Sequence, residues 1–315
     1  MRWSARTTFG LAVLVLAGGT GCQSAGLRFL SLIGLHKDPL VVALVADTPG
    51  KGTTAALEVL NPFGPYSRWQ SALGEELGRP VGLDLCLPLQ LPSALDSGLC
   101  HVAVVSPAQY ARMTGAERFS VVGVPADEQG RGVRPALLVV KTDSPVQAVA
   151  DLRGKTVAFG PAGDARTHEA GLALLAEHGL KKADLSLELL PLPGSLKHMP
   201  SMRGVAQSVI NGSSEAGFLD EAAWEELPAT AEGDEPARDK LRIVARTAAV
   251  PDSLIIASPK LDPQTFDKVR AFLLEADEKY ADALRPLHVS CYRAADQELV
   301  RDCFRLARAE GGQTP

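Results

Sequence analysis

The chain has 315 residues, a formal net charge of −5, 46% hydrophobic and 22% charged residues. That profile is globular and excludes a mostly disordered chain. The acidic balance, with aromatics at only 5%, excludes a basic, ring-rich nucleic-acid grip.

The first segment reads as a targeting signal, either of lipoprotein type or an ordinary signal peptide cleaved elsewhere. Arg2 and Arg6 form a positive start, residues 9–17 (FGLAVLVLA) an apolar stretch, and Gly18 to Gly21 a small-residue zone ending at Cys22. The apolar stretch is shorter than the roughly 20 residues needed to span a bilayer. GTGC resembles a bacterial lipobox, which implies cleavage after residue 21 and a lipidated Cys22. The loss of Arg2 and Arg6 would take the formal charge from −5 to −7. Residues 22–38 read as a tether with some apolar character.

Five cysteines are an odd number, and lipidation removes one from the redox count. Cys86, Cys100, Cys291 and Cys303 remain, in an exported compartment that permits disulfides. The sequence-local pairing is 86–100 with 291–303, each closing a loop of about a dozen residues. The alternative is reduced, buried thiols acting as small hydrophobes.

Short apolar runs then alternate with amphipathic stretches. Strands are expected at 40–46, 81–87, 101–106 and 119–124, with helices at 66–78, 91–98 and 107–113. Trp69, Leu73 and Leu77 recur at helical spacing, and Gly78 suits a left-handed C-cap. Residues 125–135 are polar, glycine-rich and bounded by prolines, a crossing between lobes. The pattern restarts with strands at 136–142, 155–160, 185–192, 215–220, 241–246 and 253–258. Helices are expected at 144–152, 165–180 and 202–212, then at 263–284 and 294–310. The glutamate-rich run 221–226 reads as a solvated helix face. The fold class is α/β: two lobes of mixed, mostly parallel sheet flanked by helices. The expected partition is lobe 1 at 39–128 and 247–315, and lobe 2 at 129–246.

ALDSGLCHVAVVS (94–106) and SVINGSSEAGFLD (208–220) repeat one unit, with Gly98 aligned on Gly212. Two lobes on one plan place a ligand outside the carboxyl ends of the strands, in the cleft between them. GKGTT (50–54) lacks phosphate-loop spacing. No nucleophile elbow and no zinc-protease motif is present. No enzyme, cofactor or metal is implied.

LGRPVGLDL (77–85), LDSGLCHVAVVSPAQYARM (95–113), DLRGKTVAFG (151–160), LALLAEHGL (172–180), VINGSSEAGFLDEAAW (209–224) and RIVARTAAVP (242–251) together carry a family resemblance. They resemble the periplasmic phosphate/phosphite/phosphonate-binding proteins, solute receptors of ABC transporters, over residues 39–275. The resemblance implies a type II periplasmic-binding fold, a closing cleft, a small oxyanion or zwitterion as ligand, and a permease or sensor as partner. In that family a Ser-Thr-Ser-Gly run at a helix start holds the anion through hydroxyls, backbone N–H groups and the helix dipole. Asp164, Ala165, Arg166 and Thr167 stand there here. A carboxylate 4 Å from an anionic ligand opposes each unit of its negative charge by about 4 kcal/mol at an effective dielectric of 20. Asp164 is also a good helix cap. Arg166 could bind an oxyanion or pair with a local acid. His101 replaces an acidic residue of the first lobe, and Glu215 stands in an acidic position of the second. Tyr66, Ser106 and Tyr110 match cleft-lining positions. For Ser106 the other role is a helix cap, for the tyrosines packing. Asp220 reads as a cleft acid or a solvated strand end, and His168, His178 and His198 as surface or satisfied histidines.

Overall fold

A computed structural model describes residues 24–32, 37–45, 63–186, 196–230, 236–275 and 279–310. The lipobox, Cys22 and GKGTT lie outside the described residues, as does most of the strand expected at 185–192.

The chain opens with α1 (Ser24–Leu32), then β1 (Leu40–Val45), α2 (Ser67–Leu77), β2 (Val81–Cys86), α3 (Leu91–Ser97), β3 (Val102–Val105), α4 (Pro107–Arg112) and β4 (Ser120–Ala126). After a crossing come β5 (Ala136–Lys141), β6 (Val157–Phe159), α5 (Gly171–Glu177), β7 (Lys197–His198), α6 (Met202–Ile210), β8 (Ala216–Asp220), α7 (Glu221–Glu226) and β9 (Leu241–Arg246). A second crossing leads to β10 (Leu254–Ala257), α8 (Pro263–Leu274), α9 (Ala281–Leu284), β11 (Cys291–Arg293) and α10 (Gln297–Glu310).

Two sheets result. The first has the order β11-β4-β10-β3-β1-β2 and the second β7-β6-β8-β5-β9. β1 pairs parallel with β2 and β3, while β10 runs antiparallel between β3 and β4. In the second sheet β6 is parallel to β7 and β8, and β5 is antiparallel to β8 and β9. The unbroken apolar run of β1 is buried on both faces, as strands covered by helices must be. Val42 and Leu83 face the α2 and α8 side, and Val41 and Ala43 the α3 and α4 side. His101 belongs to this scaffold. Its Nδ1 accepts the Val41 N–H at 3.0 Å and its carbonyl accepts the Ser258 N–H at 2.8 Å. Burial, with the nearby Arg79 cation, lowers its pKa to about 4.

The two crossings, between β4 and β5 and between β9 and β10, are joined to each other. Arg134 and Val250 exchange both backbone hydrogen bonds, at 3.1 and 3.0 Å. The second lobe is thus an insertion tied at its neck.

Local chemistry explains where helices differ from expectation. The helix expected at 144–152 is reduced to a 3-10 turn at Val149–Leu152. Asp151 accepts the N–H groups of Gln147 and Ala148 at 2.8 and 2.9 Å, so a side chain closes the turn that a helix would have used. The helix expected at 263–284 forms as α8 and the separate α9. The segment expected as a tether contains α1. Ser24 donates its N–H to Asp84 Oδ1 at 2.9 Å and its hydroxyl to Oδ2, which fastens the helix start to β2.

The expected disulfides are not formed: Cys86, Cys100, Cys291 and Cys303 are free and buried. Cys86, Cys100 and Cys303 join one apolar cluster, whereas Cys291 lies on the edge strand β11. Burial pushes the Cys86 thiol up and the Cys303 thiol up to about 12. These are inert packing thiols.

Candidate functional site

The site lies where β6 and β8 end and the second crossing passes. β6 runs into Gly160, Pro161, Ala162 and Gly163. Gly163 has φ of +79°, a left-handed turn that glycine adopts without strain. At Gly160 an added Cβ would lie 2.1 Å from Thr167 Oγ1, so only glycine lets the helix start approach the strand end. Asp164 follows as N-cap. Its backbone carbonyl accepts from both His168 N–H (3.1 Å) and Glu169 N–H (3.0 Å). The shared acceptor widens the first turn, Ala165–Ala170, into a π-helix, a device frequent at functional sites.

The Asp164 side chain takes the donors at this helix start. Oδ1 accepts Thr167 N–H at 2.7 Å, Thr167 Oγ1–H at 2.6 Å and Arg166 N–H at 3.2 Å. Burial pushes the carboxyl above its usual range, against the lowering effect of the Thr167 bonds. Thr167 is fully buried.

Arg166 is 5% exposed. It donates to Asp220 at the end of β8 and, at 2.7 Å, to Asp252 of the second crossing. Burial alone would disfavour the cation, but Asp252, Asp220 and Asp164 outweigh it and hold its pKa above the ordinary arginine value. Arg134 of the first crossing lies 3.5 Å from Asp220 and 3.1 Å from Asp127. Arg166 and Arg134 are thus already engaged by Asp220, Asp252 and Asp127, and Asp127 is paired with Arg131 as well, at 3.0 Å.

The lobes also touch through side chains. Arg112, on α4 of the first lobe, reaches both oxygens of Glu169 in the π-turn at 3.1 and 3.2 Å. The Glu169 side chain is 2% exposed and that of Arg112 47%. Burial pushes the Glu169 carboxyl up in spite of that arginine. α10 packs against α4 and also against α5 and the π-turn. Val250 closes a small apolar cluster with Ala165 and Ala170.

Asp164, Arg166, Thr167 and Asp220 are therefore brought together, while Tyr66, Ser106, Tyr110 and Glu215 hold structural contacts of their own. Ser106 caps α4 in a reciprocal capping box with Gln109, at 3.1 and 2.9 Å. Tyr110 is buried against Phe304, ring centroids 5.6 Å apart, with its hydroxyl directed to the Phe119 carbonyl. Tyr66 packs half-buried against the first-lobe core. Glu215 precedes β8 at the end of the sheet away from the cleft, and accepts the Thr156 N–H at 2.7 Å. His178 sits at the C-cap of α5. His168 and His198 meet edge-to-face at 4.7 Å beside Phe159. Burial and the neighbouring imidazole hold His168 at about 3.

The partners Asp252, Arg134, Arg112 and Glu169 were not singled out by sequence reasoning. Asp220 stood as one of two alternatives, and its place at a strand's carboxyl end was the available signal. Among the described residues no group of three or more His, Cys, Asp or Glu is placed to hold a metal.

Comparison with known proteins bears on this arrangement. A family model described as ABC transporter, phosphonate, periplasmic substrate-binding protein matches residues 65–300. A search of curated proteins finds no match. Among solved structures, a Xanthomonas citri protein bound to ATP is similar with a TM-score of 0.62 at 20% identity, covering 86% of this chain and 96% of that one. PhnD1 from Prochlorococcus marinus in complex with methylphosphonate has a TM-score of 0.58 at 12% identity, covering 85% and 97%. A binding-protein component of an ABC phosphonate transporter from Pseudomonas aeruginosa has a TM-score of 0.56 at 13% identity, covering 88% and 90%. At these identities the structural likeness establishes the fold, that of a type II periplasmic binding protein.

Proposed function

Because the chain belongs to the periplasmic phosphonate substrate-binding family of ABC transporters, we propose that it is an extracytoplasmic solute-binding lipoprotein whose phosphonate site has been altered. The family is periplasmic and its members bind small solutes for a permease. The lipid anchor at Cys22 and the altered site are the specific parts of the reading.

One observation carries the altered site. Three donors of the kind that would meet an anionic ligand, Thr167 N–H, Thr167 Oγ1–H and Arg166 N–H, converge on Asp164 Oδ1. The chain supplies its own oxyanion. A phosphonate entering there would displace a buried carboxylate and then face Asp220 and Asp252 with Arg166 already engaged. The ligand that suits the remaining surface is a zwitterion or a solute with a cationic group, which the 34% exposed Asp252 side chain would receive. Binding would close the lobes, and a permease or sensor would read the closed form.

A second reading has support of its own. The Arg112–Glu169 pair ties the two lobes directly to each other. That suits an envelope lipoprotein with a vestigial cleft, working through protein contacts. Calorimetric titration with phosphate, phosphite and methylphosphonate tests the altered site. No heat at micromolar ligand is expected; micromolar binding of any of the three overturns it. A titration with amino-group zwitterions then separates the two readings, since a vestigial cleft takes none of them.

A further inference from the structure

The large apolar side chains left exposed among the described residues are not scattered. They are Leu32, Leu85, Leu87, Leu89, Leu99 and Val133. Three of them fall within five residues at the end of β2 and the turn beyond it. Leu89 is 95% exposed, Leu87 56% and Leu85 44%. Leu99, 54% exposed, offers its carbonyl to the Arg28 guanidinium of α1. Leu32, at 87%, ends α1 itself. Val133 alone stands apart, on the first crossing.

Leu85 follows Asp84, to which α1 is fastened, and points to the other face of β2, with Leu87 and Leu89 beyond the strand end. Ser24 donates through both its backbone and its hydroxyl to the Asp84 carboxylate on β2. An added Cβ on Gly82 would lie 3.1 Å from Ser24 Cα, so helix and strand are in close contact. Cys22 is two residues earlier. Two peptide steps span at most about 7.6 Å, so a lipidated Cys22 would have its Cα no farther than that from Ser24 Cα. Leu85 adjoins Asp84 in sequence, and Leu89 is five residues on, at most about 18 Å along an extended chain. The anchor has no slack with which to hold the bilayer away from this edge.

We propose that the β2 edge, with Leu85, Leu87 and Leu89 at its end and Leu99 next to α1, is the membrane-facing surface of the protein, and that these leucines enter the apolar boundary of the bilayer next to the acyl chains. The inference rests on the lipoprotein reading of Cys22. An exposed leucine placed in lipid removes apolar area from water, and such side chains add to a covalent anchor. The result is a fixed orientation: the first lobe lies on the membrane by one edge, rather than swinging on a tether.

The test uses the full chain, processed in cells and reconstituted into vesicles of phosphatidylethanolamine and phosphatidylglycerol. A Leu89→Cys variant carries an environment-sensitive fluorophore, and a Glu177→Cys variant, at the exposed last residue of the otherwise largely buried α5 of the second lobe, serves as reference. The native cysteines at 86, 100, 291 and 303 are buried, so the dye goes to the new thiol. Lipids with a spin label near the headgroup are expected to quench the Leu89 probe severalfold more than the Glu177 probe. Intact mass is measured on the same sample. An acylated Cys22 with equal quenching at both probes overturns the membrane face alone and leaves the leucines to a protein partner or a second copy. An unmodified Cys22 overturns the lipoprotein reading and this proposal with it. Acylation together with selective quenching supports both.

Discussion

Replacing Arg112 with alanine should destabilise the protein more at high pH than at low pH. The Glu169 carboxylate is 2% exposed and receives two bonds from Arg112, at 3.1 and 3.2 Å. Removing one partner of a fully buried pair costs roughly 3–5 kcal/mol, because the other charge is left in a poor solvent. Arg112 is 47% exposed, so water already screens the pair and can enter when the side chain is cut back. About 1–2 kcal/mol at pH 8 is the expected loss after that discount. The pH dependence follows from Glu169. Burial holds its folded-state pKa above the ordinary 4.5. The folded protein therefore keeps this proton more tightly than the unfolded chain. The stabilisation linked to that proton is complete below pH 4.5 and is lost as pH rises through the folded value. Without Arg112 the folded pKa rises further and the loss steepens. Urea unfolding at pH 4.5 and pH 8 of the parent, Arg112→Ala, Glu169→Gln and the double variant would measure this. The double variant should recover about 1 kcal/mol of the Arg112→Ala loss at pH 8, since a neutral amide needs no cation. An Arg112→Ala penalty equal at the two pH values, or one that Glu169→Gln does not relieve, would refute the reasoning.

Three further outcomes are expected. Asp164→Ala should cost about 1–2 kcal/mol in urea unfolding by freeing the helix-start donors, and Asp164→Ser should cost less because a hydroxyl also caps. If the altered-site reading holds, Asp164→Ser should also gain measurable affinity for methylphosphonate by calorimetry. His101 and His168 are held by burial at about 4 and about 3, so the unfolded chain takes protons there that the folded protein refuses. Stability should then fall as pH drops from 6.5 toward 4, by up to about 1.4 kcal/mol per pH unit for each histidine. His101→Gln should flatten that slope in unfolding series across the range. Thiol titration in denaturant without reductant should find four reactive cysteines beyond Cys22, and almost no prompt reaction in the native protein. A finding of none in denaturant would restore the bridges.

The parts of the site that were legible in the sequence are those made by neighbours in the chain. An aspartate three residues before a threonine at a helix start announces a cap, and Asp164 with Thr167 forms one. Ser106, Pro107 and Gln109 likewise spell a capping box. Arg166 was visible as a charge, but its partners lie 54 and 86 residues away, and no local pattern announces them. Glu215 was misleading because its residue type was right and its end of the strand was wrong. Asp220, five residues on, occupies the carboxyl end. Tyr110 was lost to packing because Phe304, from the last helix, closes over it. The cysteine count favoured bridges, but parity says nothing about where side chains point.

The order of strands in the first sheet has a consequence for how the molecule is made. β10 sits between β3 and β4, yet it is synthesised after the entire second lobe. Until residues 254–257 emerge, β4 has no hydrogen-bonded place beside β3, and the first sheet remains in two unjoined pieces. The second sheet, by contrast, is complete once Arg246 has appeared. A chain threaded across a membrane from its amino end would therefore finish its inserted lobe first and its framing lobe last. The half-built frame, with apolar β1, β2 and β3 waiting, is the stage at which a chaperone in the receiving compartment would be needed most.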